Sequence, residues 1–201
     1  MDEPGASGRV GLYEADPRGI IPIDGFRVPP TVARRLRRAG YEIRVDAAFA
    51  QVAAACAVRP GEPTWLTPRL LEAYGRLHRL GVAHSVEAWR EGRLWGGLFG
   101  VAVGGLFTSE TMFHRRADAG NAALVATGQM LRAGGYALWD IQMTSAHTER
   151  FGAVAIGRRE YRRRLRDALA APAGPLRPPA AAPPTPPGPR RPGPAGPGGR
   201  G

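Results

Sequence analysis

Residues 94–113 read LWGGLFGVAVGGLFTSETMF. Aromatic and branched apolar residues fill this stretch, and it divides at Gly104-Gly105, a turn signal. It predicts two antiparallel strands joined by a tight hairpin. Immediately before it, AHSVEAW (83–89) sets His84, Val86 and Ala88 against Ser85, Glu87 and Trp89. That period of two predicts a third strand, and EGR (91–93) supplies the turn between them. The centre of the chain is therefore a β-meander.

The periodicity changes on both sides of the meander. C-terminal to it, the pattern predicts a helix from about Asp118 to Arg132 that ends at Gly134-Gly135. A strand follows over 137–143, and a last helix over REYRRRLRDAL, 159–169. On the N-terminal side, RGIIPI (18–23) reads as a short strand with Pro22 at a sheet edge. VPPTVARRLRRAG (28–40) reads as an amphipathic helix begun by prolines and stopped by Gly40. YEIRV (41–45) is a strand, and Asp46 caps a helix over 47–57. Thr67 caps another helix, with Pro68 at its first position and an apolar stripe of Leu70, Leu71, Tyr74, Leu77 and Leu80. A meander followed by helix, strand and helix predicts an α/β (α+β) chain. The expected architecture is a GNAT-like (acyl-CoA N-acyltransferase-like) mixed sheet flanked by helices in a single domain, residues 10–171. Acetyltransferases hold the coenzyme A pyrophosphate on a Gly-rich loop ahead of the helix after the meander. Here that position reads HRRADAGNAAL (114–124) and lacks the Gly-x-Gly/Ala spacing that brings backbone amides to a pyrophosphate, which weakens the coenzyme A reading.

Composition sets further bounds. The net charge is +11, carried by arginine with no lysine in the chain. A basic surface suits a polyanion such as nucleic acid, but an arginine-rich, lysine-free chain equally reflects a GC-rich genome, so the placement of the arginines carries more information than their number. Arg34, Arg35, Arg37 and Arg38 form one cluster. Arg158, Arg159, Arg162, Arg163, Arg164 and Arg166 form another, denser than an ordinary solvated face. From Pro172 to Gly201 the chain is Pro, Gly, Ala and Arg with one large apolar residue, Leu176. Such a segment cannot bury enough apolar area to offset its ordering entropy, and a disordered tail is expected. Residues 1–9, MDEPGASGR, are polar, expected to be disordered, and unlike a signal peptide. No run of about 18 apolar residues exists to span a membrane. A cytoplasmic protein with no membrane association is expected. Cys56 is the one cysteine and reads as a buried thiol. The four histidines show no metal-ligand spacing.

Two polar residues interrupt the apolar run YALWDIQM (136–143). Alternation along a strand puts Asp140 and Gln142 on one face. A buried carboxylate beside a buried carboxamide is costly unless both are paired or both act on a ligand. Glu110 and Met112 are likewise two apart, which predicts a shared strand face.

The stretch TWLTPRLLEAYGRLHRLGVAHSVEAWREGRLWGGLFGVAVGGLFTSETMF (64–113), with DIQMTSAHTERFGAVAIGRREY (140–161), closely resembles the leucyl/phenylalanyl-tRNA–protein transferases. The most specific pieces are TWLT, EAYGRLHRLGVAHSVEAW, GGLFGVAVGGLF, ETMF and the order Asp-x-Gln, His, Phe-Gly-Ala. The resemblance spans roughly Asp16 to Leu169. It implies transfer of Leu, Phe or Met from aminoacyl-tRNA to the N-terminal Arg or Lys of a protein, which marks that protein for N-degron proteolysis. Ester aminolysis needs no cofactor: no ATP, metal or coenzyme A is implied. The partners are then the tRNA 3′ acceptor end and the acceptor protein, with the enzyme a monomer.

The resemblance also assigns residues. Asp140 is the acid/base partner and Gln142 holds the incoming α-amino group. Glu110 contacts the terminal adenosine or the amino group of the ester, and Trp65 stacks near that adenosine. Leu98, Phe107, Met112 and Leu131, with Trp139 behind them, form an apolar pocket for the aminoacyl side chain. Tyr74 and Ser85 are weaker substrate contacts. Arg34, Arg35, Arg38, Arg158, Arg159, Arg162 and Arg163 take tRNA phosphates, and Arg115 and Arg116 the acceptor-end phosphates. Five positions depart from the family pattern: Ser109 stands for Gly, Gly120-Asn121 for Ser-Lys, and AIGRR for EIPRR, so Ala155 and Gly157 differ. GLYEADPRG (11–19) replaces a Trp-rich stretch, and an N-terminal segment with a GIFPW-like motif is missing. These departures motivate an alternative, a weakened or inactive homologue that binds tRNA or peptide.

Overall fold

The computed structural model describes residues 14–58 and 64–178. Of the expected disordered termini, residues 1–9 and 172–201, all but 172–178 lie outside the described residues, as does the loop at 59–63. Seven strands form one mixed sheet in the order β2-β3-β4-β5-β6-β1-β7. They are β1 (Arg18–Ile21), β2 (Glu42–Val45), β3 (Ala83–Arg90), β4 (Arg93–Val103), β5 (Leu106–His114), β6 (Leu138–Gln142) and β7 (Val154–Ile156). The meander is β3-β4-β5, with Glu91 and Gly92 left-handed in its first turn and Gly104 in its second. The architecture is the mixed α/β sheet flanked by helices that the element order predicts. Among the described residues no helix is long and apolar enough to cross a membrane.

Helix α4 (Ala119–Ala133) and α1 (Pro30–Ala39) cover one face. Prolines start α1 and left-handed Gly40 ends it, as expected. Under α4 lies the main core of Ile21, Leu98, Phe107, Leu131, Trp139 and Phe151. The other face carries α2 (Phe49–Cys56) and α3 (Pro68–Arg79) at one end and α6 (Arg158–Ala170) at the other. The register places both groups on this same face: Val101 under α2 and α3 pairs with Thr108, and Thr108 pairs with Asp140, which α6 contacts. Between the two helix groups this face carries Thr108 and Glu110, both partly exposed.

One pair of neighbours is parallel, β5 with β6, and it is short: Leu106, Phe107 and Thr108 match Leu138, Trp139 and Asp140. Beyond Asp140, β6 turns to β1, where Gly19 meets Gln142, while β5 continues along β4. The strands thus part beyond Thr108. A bulge sits at the same level. Phe99 pairs with Thr111 and Gly100 with Ser109, leaving Glu110 as the extra residue. The bulge reverses alternation, so Met112 joins the α4 face while Glu110 stays on the other. The expectation that Glu110 and Met112 share a face is therefore corrected. Gly100 is needed here, because a Cβ would lie 2.3 Å from the Thr108 carbonyl oxygen.

Three further expectations change. Thr67 does cap α3, accepting from the Leu70 N–H at 3.3 Å. Asp46, however, does not cap α2, which begins at Phe49. Its carboxylate accepts from the Ser85 N–H, and the buried Glu87 takes the Ala48 N–H instead. Pro22 is not in an edge strand: β1 is internal and stops at Ile21. Two short elements went unread, β7 and α5 (Ala146–Glu149), because three or four residues carry no period. The chain also stays ordered past Pro172. Gly174 N–H bonds the Gly134 carbonyl at 2.8 Å, and Leu176, 9% exposed, enters the main core. Leu176, with Ala173 packed against the same core and the Gly174 bond, holds this strap to the domain. Leu176→Ala should cost about 2 kcal/mol, read as a lower midpoint in urea denaturation at unchanged slope.

Candidate functional site

Asp140, 1% exposed, lies at the fork of β5 and β6. Arg18, at the start of β1, reaches it with Nε at 3.0 Å from Oδ1 and Nη2 at 2.8 Å from Oδ2. Tyr161, in the first turn of α6, donates its hydroxyl to Oδ2 at 2.6 Å. The Gln142 N–H donates to Oδ1 at 2.7 Å. The carboxylate is thus ion-paired and its oxygens are filled by donors from three elements. Burial, together with the hydrogen bond to Asp140, pushes the Tyr161 phenol up, so the hydroxyl remains a donor.

Gln142 is left-handed, with φ of 66°. A side chain there is strained, and such strain gathers at functional sites. It is held by the Asp140 bond and by a tight turn from the Met143 N–H to the Ile141 carbonyl at 2.7 Å. Gly19 permits the crossing, since a Cβ would meet the Met143 carbonyl carbon at 2.5 Å. The twist carries the Gln142 side chain across the fork, where Nε2 donates to Glu110 Oε2 at 3.0 Å. Tyr74 of α3 donates its hydroxyl to the same carboxylate. Burial pushes the Glu110 carboxyl up and the Asp140 charge adds to this, while the bonds from Tyr74 and Gln142 pull it down; the net shift is upward. Trp65, 43% exposed, sets its edge against Tyr74 at 6.3 Å. Asp140, Gln142, Glu110, Tyr74 and Trp65, scattered over 78 positions of sequence, are thereby one continuous array.

On the α4 side of the fork is a cavity of about 200 Å³, lined by Met112, His114, Asp118, Gly120, Asn121 and His147. Of the expected pocket residues only Met112 lines it. Leu98, Phe107 and Leu131 are 1%, 0% and 0% exposed, so they are core that backs the cavity from within. Trp139 is also fully buried, its indole N–H donating to Ser109 Oγ at 2.8 Å. Ser85, expected as a weaker substrate contact, is fully buried, and its hydroxyl donates to Glu87 at 2.8 Å. A second cavity of about 370 Å³ lies at the opposite end of the sheet, under the Ala173–Leu176 strap.

The chain finds counterparts among known proteins. The family model for leucyl/phenylalanyl-tRNA protein transferase matches residues 20–166. A leucyl/phenylalanyl-tRNA–protein transferase of Rubrobacter xylanophilus is 50% identical over 82% of this chain and 86% of its own length. One from Akkermansia muciniphila is 45% identical over 81% of this chain and 86% of its own. The chain belongs to the leucyl/phenylalanyl-tRNA–protein transferase family. Among solved structures, a GCN5-related N-acetyltransferase from Kribbella flavida is similar at 18% identity with a TM-score of 0.45, over 71% of this chain and about half (55%) of that one.

Within this transferase family the departures are accommodated. Ser109 accepts from Trp139 and so satisfies a buried indole N–H. Ala155 and Gly157 are exposed, in β7 and at the start of α6. Asn121 donates to Asp118 at 2.9 Å, and Gly120 opens onto the cavity. The arginines divide. Arg34, Arg37 and Arg38 are exposed on α1, and Arg35 clamps Asp118 at 2.8 Å, which joins that helix to the start of α4 beside Arg115 and Arg116. Arg116 lies over Trp95 at 5.4 Å and Arg115 over Phe113 at 5.3 Å. The α6 cluster is less available: Arg158 pairs with Glu14 and Asp16, Arg162 with Glu14, and Arg163 with Glu160 and Asp167. Arg18, Tyr161, His114 and His147 were not singled out for a role in this site from sequence. Arg18 lies within ADPRG, and Tyr161 and His147 within the 140–161 stretch that carries the resemblance, which was the available signal.

Two outcomes are expected. Arg18→Met strands a buried carboxylate and should destabilise by about 3 kcal/mol, measured by calorimetry; Arg18→Met with Asp140→Leu should recover part of that loss. Elsewhere, His84 Nδ1 bonds Asp46 at 2.7 Å and Nε2 bonds the Gly81 carbonyl, and the Asp46 bond holds the imidazole above its usual range. A raised folded pKa stabilises fully below the ordinary histidine value, about 6.5, and that contribution is lost as pH rises through the folded value. The melting temperature should therefore fall over this interval, and His84→Gln should flatten the fall.

Proposed function

We propose that this chain transfers Leu or Phe, with Met also accepted, from aminoacyl-tRNA to the N-terminal Arg or Lys of proteins, marking them for N-degron proteolysis. It would act in the cytoplasm, as a monomer. The Glu110–Gln142 bridge across the fork carries this reading. It sets a carboxylate and a carboxamide side by side in a half-buried opening, with exposed Trp65 at its rim. A base that stacks on Trp65 would bring the terminal adenosine to this opening, a sequence-tolerant mode of holding a nucleotide.

The reaction joins the acceptor nitrogen to the ester carbonyl carbon and breaks the bond from that carbon to the ribose oxygen. The nitrogen loses protons, and the departing ribose oxygen gains one. Gln142 Nε2 is engaged by Glu110, which leaves its Oε1 to accept from the incoming amine. Glu110, shifted upward by burial, is the carboxylate better suited to receive a proton. Asp140 suits a different role from the acid/base one its resemblance implies. Its oxygens already accept from Arg18, Tyr161 and Gln142, so it serves as the anchor that positions Gln142. Positioning supplies much of the rate in such a reaction. The exposed arginines of α1 with Arg115 and Arg116 form the phosphate-binding surface that supports the tRNA reading.

The alternative, a homologue that binds without turnover, draws support only from the departures, and none of them removes a member of the Glu110–Gln142–Asp140 array. Incubation with charged Leu-tRNA or Phe-tRNA and an Arg-starting peptide should yield the acylated peptide by mass. Glu110→Gln should lower kcat by about 10²-fold or more with little change in melting temperature. Absence of acylation, with a family enzyme active in parallel, would sink the proposal in favour of binding alone.

A further inference from the structure

Four strands share one end of the sheet: β2 starts there at Glu42, β3 ends at Arg90, β4 starts at Arg93 and β5 ends at His114. Arginines crowd this end, and several lie over aromatic rings. Arg44 lies over Trp89 at 4.7 Å and Arg115 over Phe113 at 5.3 Å. Arg93 and Arg116 lie over one indole, that of Trp95, at 5.8 and 5.4 Å. The acids here are already matched: Glu42 pairs with Arg44, Glu91 with Arg90 and Asp118 with Arg35. Arg93, Arg115 and Arg116 are exposed and have no acid partner among the described residues. Two like charges at one ring repel, and an anion between them relieves this. The patch is also braced. The Tyr41 hydroxyl donates to the Ala117 carbonyl at 2.8 Å, Arg90 Nη1 to the Ala39 carbonyl at 3.2 Å, and the Arg115 N–H to the Trp95 carbonyl at 2.7 Å. These bonds tie the β3–β4 hairpin, the turn after β5 and the end of α1 into one surface. Guanidiniums stacked on rings are preorganised, so they lose little freedom on gripping a phosphate.

We propose that the β3–β4 hairpin is part of the tRNA-binding surface: Arg93 joins Arg115 and Arg116 on the phosphates of the acceptor helix, and Trp95 is the positioning residue that holds Arg93 and Arg116. This rests on the aminoacyl-tRNA reading above and extends it beyond the reacting site. At about 3.3 Å per residue, Arg115 and Arg116 stand roughly 15–20 Å along β5 from Glu110. Nucleotides of one strand advance about 3.4 Å each. With the terminal adenosine at Glu110 and Trp65, this end of the sheet therefore lies about five nucleotides back, where the 3′ end of a tRNA has entered its acceptor helix. Helical RNA is held largely through its backbone rather than its base edges, which suits a patch of unpaired guanidiniums.

Equilibrium binding of Leu-tRNA at several salt concentrations tests this, beside a leucyl-adenosine 3′-amide that is too short to reach the hairpin. Arg93→Glu should weaken tRNA binding about 10-fold at low salt and reduce the slope of log affinity against log salt by about one. It should bind the short analogue as the wild type does. Arg79→Glu, an equal charge change at the opposite end of the sheet where α3 meets β3, should alter tRNA affinity by about 2-fold or less. Trp95→Leu keeps every charge and should weaken tRNA binding about 3- to 5-fold, and Trp95→Phe, which keeps a ring, should restore most of that. Unchanged affinity and slope in Arg93→Glu overturn the proposal. An equal loss in Arg79→Glu also overturns it, as an effect of bulk charge, and so does an equal loss with the short analogue, as an effect at the reacting site. A raised KM for the acceptor protein alone assigns the surface to that protein and overturns the RNA contact. Full affinity in Trp95→Leu, or no rescue by Trp95→Phe, removes the positioning role. If Arg93-dependent tRNA binding appears but transfer fails, the transferase reading falls and the hairpin contact stands; transfer that is indifferent to Arg93→Glu removes the contact alone.

Discussion

Asp140 sits where β5 and β6 part, and donors from two other elements and from its own strand converge on it. Arg18 comes from β1, Tyr161 from α6, and the Gln142 N–H from the end of β6 itself. A buried carboxylate is costly alone and strongly anchoring when paired and fully hydrogen-bonded. The sheet is opened at this level by geometry, since its one parallel pair stops after three matched residues. The ion pair keeps the opened end from collapsing or drifting. Gln142 can remain left-handed because its N–H is bound there, and its side chain is thereby aimed at Glu110.

The second constraint is the bulge on β5. One extra residue at Glu110 divides the strand between two surfaces. On one side Glu110 meets Tyr74 and Gln142 in the strip between the helix groups. On the other, Met112 faces α4 and the cavity that holds His147. A ligand passing through the fork would therefore meet carboxylate and carboxamide on one side and a mixed apolar and imidazole lining on the other. Ser109 sits beside the bulge and ties β5 to the Trp139 indole, which braces the fork.

Much of the fold was legible because it rests on local periodicity and punctuation. The meander follows from alternation over 83–113 and from the glycines of its turns, α1 and α3 from their prolines, Gly40 and Thr67. The site was legible only as a set of residue types. Asp140, Gln142, Glu110, Trp65 and Tyr74 were all named, and they do come together. Leu98, Phe107 and Leu131 could not be told from core, since an apolar side chain reads the same whether it faces a cavity or a neighbour. Arg18 escaped notice as the partner of Asp140 because 122 residues separate them.

The amino-acid sequence by itself determined the order of elements, the meander, the family and the identity of the polar residues that interrupt its strands. Those properties are carried by neighbours along the chain, where turn chemistry and side-chain period act over a few residues. Only the tertiary structure decided which carboxylate is locked and which is poised. Asp140 and Glu110 are both acids within strands; one is saturated by donors brought from distant elements, the other is half-buried with an amide and a phenol as its partners. That difference arises from packing β1, α3 and α6 around a fork, and no local pattern encodes it.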